Sequence, residues 1–121
     1  MRRVKFKVVM VDPKGNRQSV LAKGKYCIMY LKNTIVRARE GTLGVAVFET
    51  RHQAARFRKV YALALITKII RVRPVGHGNN VAELSRSISS ASLDCFYKRK
   101  HVETMIPPPG TMFYPAVEVI E

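Results

Sequence analysis

Thr50-Arg51-His52-Gln53-Ala54-Ala55-Arg56-Phe57-Arg58-Lys59-Val60-Tyr61 is the stretch on which the fold turns. Thr50 followed three positions later by Gln53 fits a capping box, in which each side chain satisfies a backbone N–H of the other. Ala54, Phe57 and Tyr61 recur at i, i+3 and i+7, one apolar stripe on a helix of 3.6 residues per turn. Arg51, His52, Arg56, Arg58 and Lys59 fall outside that stripe. The spacing therefore predicts a helix with one buried face and one cationic face.

On either side of this helix the pattern changes to that of strands. Upstream, Val4, Phe6 and Val8 alternate with Arg3, Lys5 and Lys7, the period-two signature of a half-buried strand with a cationic outer face over residues 3–11. Asp12-Pro13-Lys14-Gly15-Asn16 supplies a turn. Gln18–Ala22 and Tyr26–Leu31 read as further strands separated at Lys23-Gly24. Thr34–Ala38 is a short β-branched strand closed by a turn at Glu40-Gly41, and Val45–Phe48 reads as an interior strand. Downstream, Leu65–Val75 is a long Ile- and Val-rich strand that ends at Pro74, and Gly76-His77-Gly78-Asn79-Asn80 is a loop. Ser92 is placed to cap a short second helix through Lys100, with Leu93, Phe96 and Tyr97 inward. Pro107-Pro108-Pro109-Gly110 cannot join a ladder, and Thr111–Ile120 returns as a final strand. The expected fold is α+β: a mainly antiparallel curved sheet, one principal amphipathic helix and a second short one, all in a single domain over residues 1–121.

The totals agree with one domain. A chain of 121 residues with 47% apolar residues buries roughly two thirds of its unfolded surface, enough for a core without staples. Cys27 and Cys95 stand in apolar contexts without ligand spacing and read as buried free thiols, in keeping with a reducing compartment. Basic residues at the N-terminus are not followed by an apolar h-region, and the longest apolar run, Tyr61–Ile66, is far short of a bilayer span. The expected location is the cytoplasm, with no membrane contact.

Charge is where the composition departs from the ordinary. Twenty-two Lys and Arg against eight Asp and Glu give a net charge of +14. Residues 1–25 and 51–73 each carry +7, and the remaining segments cancel. Such a body attracts polyanions by long-range steering. If the first strand, the helix and the long strand lie together, Arg3, Lys5, Lys7, Arg51, Arg56, Arg58, Lys59, Lys68, Arg71 and Arg73 make one patch able to track a phosphate backbone. No helix-turn-helix, zinc-finger or RNA-motif signature accompanies them, so binding without strong sequence specificity is expected. Tyr26, Tyr30, Phe113 and Tyr114 offer rings either for stacking on bases or for half-buried packing.

Chemistry has thinner support. His52, His77 and His101 lack the spacing of a metal site, and the scattered acids suit neither a metal-dependent nuclease nor a glycosidase. No cofactor is expected. Gly76-His77-Gly78 and Gly41-Thr42-Leu43-Gly44 lack the endings of phosphate loops. The one catalytic candidate is His77, which with Arg71 or Arg73 would serve a metal-independent ribonuclease.

Gly41-Thr42-Leu43-Gly44-Val45-Ala46-Val47-Phe48-Glu49-Thr50 with Ala54 and Phe57, Arg71-Val72-Arg73-Pro74-Val75-Gly76, and Pro108 through Val119 are together similar to small uncharacterised proteins of prokaryotes and their mobile elements. That resemblance implies no activity and assigns no functional residue. The expected function is a basic binding module for nucleic acid or another polyanion. Capture of an acidic host protein is the alternative, and ribonuclease action the second alternative.

Overall fold

β1 (Lys5–Val11) is the strand around which the sheet is assembled. The computed structural model of the chain describes residues 3–20, 24–62, 65–85, 93, 96–99 and 102–121. Along one edge β1 pairs with β5 (Thr67–Val75) from Lys5↔Val72 to Met10↔Thr67. Its other edge is shared: β4 (Val45–Phe48) takes the start at Phe6↔Phe48, and β2 (Arg17–Ser19) takes the end at Val9↔Ser19 through Val11↔Arg17. β8 (Thr111–Tyr114) extends the sheet beyond β4, while β9 (Ala116–Val119) and then β3 (Ile35–Arg37) extend it beyond β5. The order is β3-β9-β5-β1-β4-β8, and every pairing is antiparallel. β6 (Leu84–Ser85) and β7 (Thr104–Met105) form a separate small ladder. With α1 (Arg51–Tyr61) as its principal helix, the chain is α+β as the residue pattern indicates.

The capping box forms in full. Thr50, in extended backbone at φ −128°, accepts from Gln53 N at 3.1 Å, and Gln53 Oε1 accepts from Thr50 N at 3.2 Å. These bonds satisfy two of the donors that a helix start leaves without partners. Ala54 and Phe57 then sit on Phe6, Val8 and Met10 of β1 and Phe48 of β4, with the Phe48 and Phe57 rings 5.1 Å apart. The turn at 12–16 closes as its residues dictate: the Asp12 carboxylate accepts from the backbone of Lys14 and Asn16, and Gly15 takes φ +83°.

The opposite side of the sheet is also covered. Val9, Val45, Val47, Ile70, Val72, Val117 and Val119 form a second buried layer, closed over by Tyr30 with Ile28 and Val36 beside it. Each such side chain contributes roughly 1.5–3 kcal/mol by leaving water. The covering segment does so without joining the sheet as a strand. Where residues 26–31 read as a strand, Gly24–Tyr26 is a 3-10 turn, and among the described residues this stretch makes a single bridge, Met29↔Gln18. Its hydrogen bonds run instead to β2 and its neighbours, Ser19 N donating to Ile28 O and Tyr30 N to Arg17 O.

Two further readings are corrected. Thr111–Ile120 is not one strand. Pro115, with no N–H to give, divides it into β8 and β9, which join the sheet on opposite sides of β1. The long strand begins at Thr67, leaving Leu65 and Ile66 exposed ahead of it, and runs through Pro74 to Val75. Cys27 is a free, half-buried thiol. Of the expected second helix, Leu93, Phe96 and Tyr97 are helical and half-buried, while Ser92, Cys95 and Lys100 lie outside the described residues, as does His101. No described helix is long and apolar enough to cross a membrane.

Candidate nucleic-acid interface

Ladder parity decides where the basic side chains of the sheet go. Residues paired directly across an antiparallel ladder share a face, and successive residues alternate. Arg71 pairs with Phe6, and Arg73 with Glu118, so both arginines project to the side that carries α1. Lys68 pairs with Val9, and Lys5 and Lys7 with Val72 and Ile70, so all three belong to the opposite side. The ten basic residues therefore do not form one patch, although β1 and β5 lie side by side. They form two.

The helix-side group is open to solvent. At 100° per residue, Ala54, Phe57 and Tyr61 point to the sheet, Arg56 and Lys59 point away from it, and Arg51 and Arg58 share one flank. All four basic side chains of α1 are exposed. Arg51 lies on the flank nearer β5: its guanidinium stands 5.1 Å from the Phe6 ring centroid and 4.0 Å from Glu121, which Arg71 also meets at 3.5 Å. Arg73 meets Glu118 at 3.5 Å. Among the described residues no ion pair holds Arg56, Arg58 or Lys59. Arg37, exposed on β3 and paired with Ala116, belongs to the same side. Counting charge by segment passed over it because 26–50 nearly cancels, yet the alternation Ile35-Val36-Arg37 marks it as the outward residue.

The other group is largely committed within the protein. Lys5, expected on an outer face, is only 4% exposed and donates to Glu49 at 2.5 Å, while Arg3 meets the same carboxylate at 3.2 Å. The hydrogen bond from Lys5 and the nearby charges of Lys5 and Arg3 hold the Glu49 carboxyl below the usual carboxylate range. Lys7 donates to Ala46 O at 2.7 Å and lies 5.2 Å from the centre of the Tyr30 ring. Burial pushes its ammonium pKa down to about 8. The second apolar layer, with Tyr30 over it, is what turns this face of β1 inward. Lys68, at the far end of the same face, is exposed.

Arg3, Lys5 and Glu49 border a cleft of about 340 Å³, completed by Pro74, Met112 and Tyr114. Of the four rings that could stack on bases, Tyr30 and Phe113 are 1% and 6% exposed and serve the core. Tyr26 packs against Tyr97 with centroids 5.3 Å apart. Tyr114 alone lines the cleft. His77 is exposed between Gly76, which abuts Pro115, and Gly78, which abuts the Tyr114 ring. It does not border the cleft, and Arg71 and Arg73 project toward α1. Among the described residues no group of His, Cys, Asp or Glu could hold a metal ion. No protein-family model, no curated protein and no solved structure matches this chain.

Proposed function

We propose that the protein is a small basic module that docks on the phosphate backbone of nucleic acid without strong sequence preference. The observation that carries the reading is the solvent side of α1, where Arg51, Arg56, Arg58 and Lys59 stand exposed in a segment that has no acidic residue from 51 to 73. From Arg51 to Lys59 the helix rises about 12 Å, over which duplex DNA presents about seven phosphate charges. Arg37, Arg71 and Arg73 flank this helix on the same side of the sheet, partly balanced by Glu118 and Glu121.

Salt dependence is the test. Fluorescence anisotropy with mixed-sequence DNA and RNA oligomers, at salt from 50 to 200 mM, gives the slope of log K against log salt. Changing Arg56, Arg58 and Lys59 together to Gln alters only exposed positions and should lower that slope by about 2–3 on duplex DNA. An unchanged slope, or no binding by the parent protein at 50 mM salt, overturns the reading. In the latter case, polypeptide partners that stay bound after nuclease treatment would point to an acidic protein instead.

A further inference from the structure

The cleft on the side away from α1 is not used by that backbone contact, and its walls differ in kind. Pro74, Met112 and the Tyr114 ring are apolar or aromatic, while Arg3, Lys5 and Glu49 set cations and one carboxylate along the border. At about 340 Å³ the volume lies within the range of small-molecule sites. The glycine loop packs against the Tyr114 ring: a Cβ on Gly78 would stand 2.5 Å from its Cε1, so a larger residue there would require the ring or the loop to move. Lys5 is buried and bound to Glu49, whereas the Arg3 side chain, which meets the same carboxylate at 3.2 Å, is 79% exposed, so its guanidinium can also reach an incoming anion at the border.

We propose that this cleft takes one unpaired nucleotide, its base against Tyr114, Met112 and Pro74 and its phosphate on Arg3. The assignment rests on the nucleic-acid reading above and narrows it to single-stranded substrate, because a base within a duplex cannot leave the stack without loss of pairing. Stacking on a tyrosine face tolerates any base. Glu49 adds a preference. Two cations keep its carboxylate ionised, so it only accepts hydrogen bonds. Guanine offers it N1–H and the 2-amino group together, and adenine and cytosine offer an amino group, whereas uracil offers only N3–H between two carbonyl oxygens that a carboxylate repels, so uracil is favoured least.

Guanosine, adenosine, cytidine and uridine 5′-monophosphates, ribose 5-phosphate and inorganic phosphate are titrated into the protein by calorimetry. The same protein is titrated with a single-stranded oligomer and with its duplex. Expected are binding of the amino-bearing nucleotides ahead of uridine monophosphate, weak binding of ribose 5-phosphate, and a preference for the single strand. Tyr114→Leu should weaken single-strand affinity at least about fivefold while leaving duplex affinity unchanged. Arg3→Gln alters an exposed side chain, keeps the fold, and should weaken nucleotide binding severalfold. Equal affinity for phosphate and nucleotides, or single-strand binding that neither variant changes, overturns the cleft proposal and leaves the α1 contact standing. Nucleotide binding without polymer binding does the reverse.

Discussion

Replacing Lys7 by Met should stabilise the protein, even though it removes a hydrogen bond. Lys7 faces the second apolar layer opposite Ile70, and burial lowers its ammonium pKa to about 8. In the unfolded chain the value is about 10.4. Both states are protonated at pH 7, so the difference of about 2.4 units means that burying the charge costs about 3 kcal/mol there. Methionine keeps the length of the stem beside Tyr30 but leaves Ala46 O without its donor, a loss of about 1 kcal/mol. The net gain at pH 7 is about 2 kcal/mol. The sign of the pH dependence is fixed as well. Between about pH 8 and 10.4 the unfolded chain binds more protons than the folded one, so the parent protein gains stability as pH rises through that window. By pH 9.5 about 2 kcal/mol of the cost is recovered, and the advantage of the variant should all but vanish. Higher pH is avoided because burial raises the Tyr30 and Tyr97 hydroxyls above their ordinary value, so tyrosine ionisation in the unfolded chain would erode stability from about pH 10. Urea denaturation followed by far-ultraviolet circular dichroism at pH 7 and 9.5 measures both quantities. A variant less stable than the parent at pH 7, or a gap that does not narrow at pH 9.5, would refute the reasoning.

Glu49→Gln removes the counter-ion of a buried ammonium. Because the Glu49 side chain is itself 42% exposed, the loss should be about 1–3 kcal/mol rather than that of a fully buried pair. The Glu49 pKa is depressed on folding, so its contribution is complete above about pH 4.3 and fades as pH falls through the folded value. Urea midpoints should show the gap between parent and variant constant from pH 7 down to about 4.3 and narrowing below that. Thr50→Ala deletes the cap of α1 and should cost about 1 kcal/mol, read as a drop of about 4 °C in thermal midpoint. Gly44→Ala sets a Cβ at φ +121° and 2.7 Å from the Tyr114 carbonyl oxygen, whereas Gly15→Ala meets nothing within 4 Å. The first should destabilise by at least about 2 kcal/mol and the second by about 1, a difference that denaturant titration resolves.

Elements decided by local chemistry were legible. The Thr50 cap and the Asp12 turn rest on contacts within a few residues, and the α1 stripe and the strand Val45–Phe48 show in patterns that a short window of sequence carries. What misled was the periodicity of β1. Alternation of Phe6 and Val8 with Lys5 and Lys7 is the pattern of a strand with one wet face, but that face is dry because Tyr30, Ile28 and Val36 arrive from a segment some twenty residues away. A weaker signal of burial on both sides was present in Val8-Val9 and Ile69-Ile70, adjacent apolar pairs that a half-buried strand does not need. The division of the last strand at Pro115 was open to the same kind of reading, since proline in an otherwise continuous strand pattern argues against continuity.

The same lesson bears on charge and therefore on function. Net charge along the chain indicates how strongly the protein attracts an anion from a distance, because that field sums over all groups. It does not indicate which groups can touch one. Residues 1–25 and 51–73 carry equal charge, yet Lys5 and Lys7 spend theirs on Glu49, Ala46 and the Tyr30 ring, and Arg51, Arg71 and Arg73 face Glu121 and Glu118. Among the described residues of 51–73, no ion pair holds Arg56, Arg58, Lys59 or Lys68, and the first three stand together on α1. Substitutions at Lys5 and Lys7 should accordingly register in stability, and substitutions on α1 in affinity, although composition weights the two segments alike.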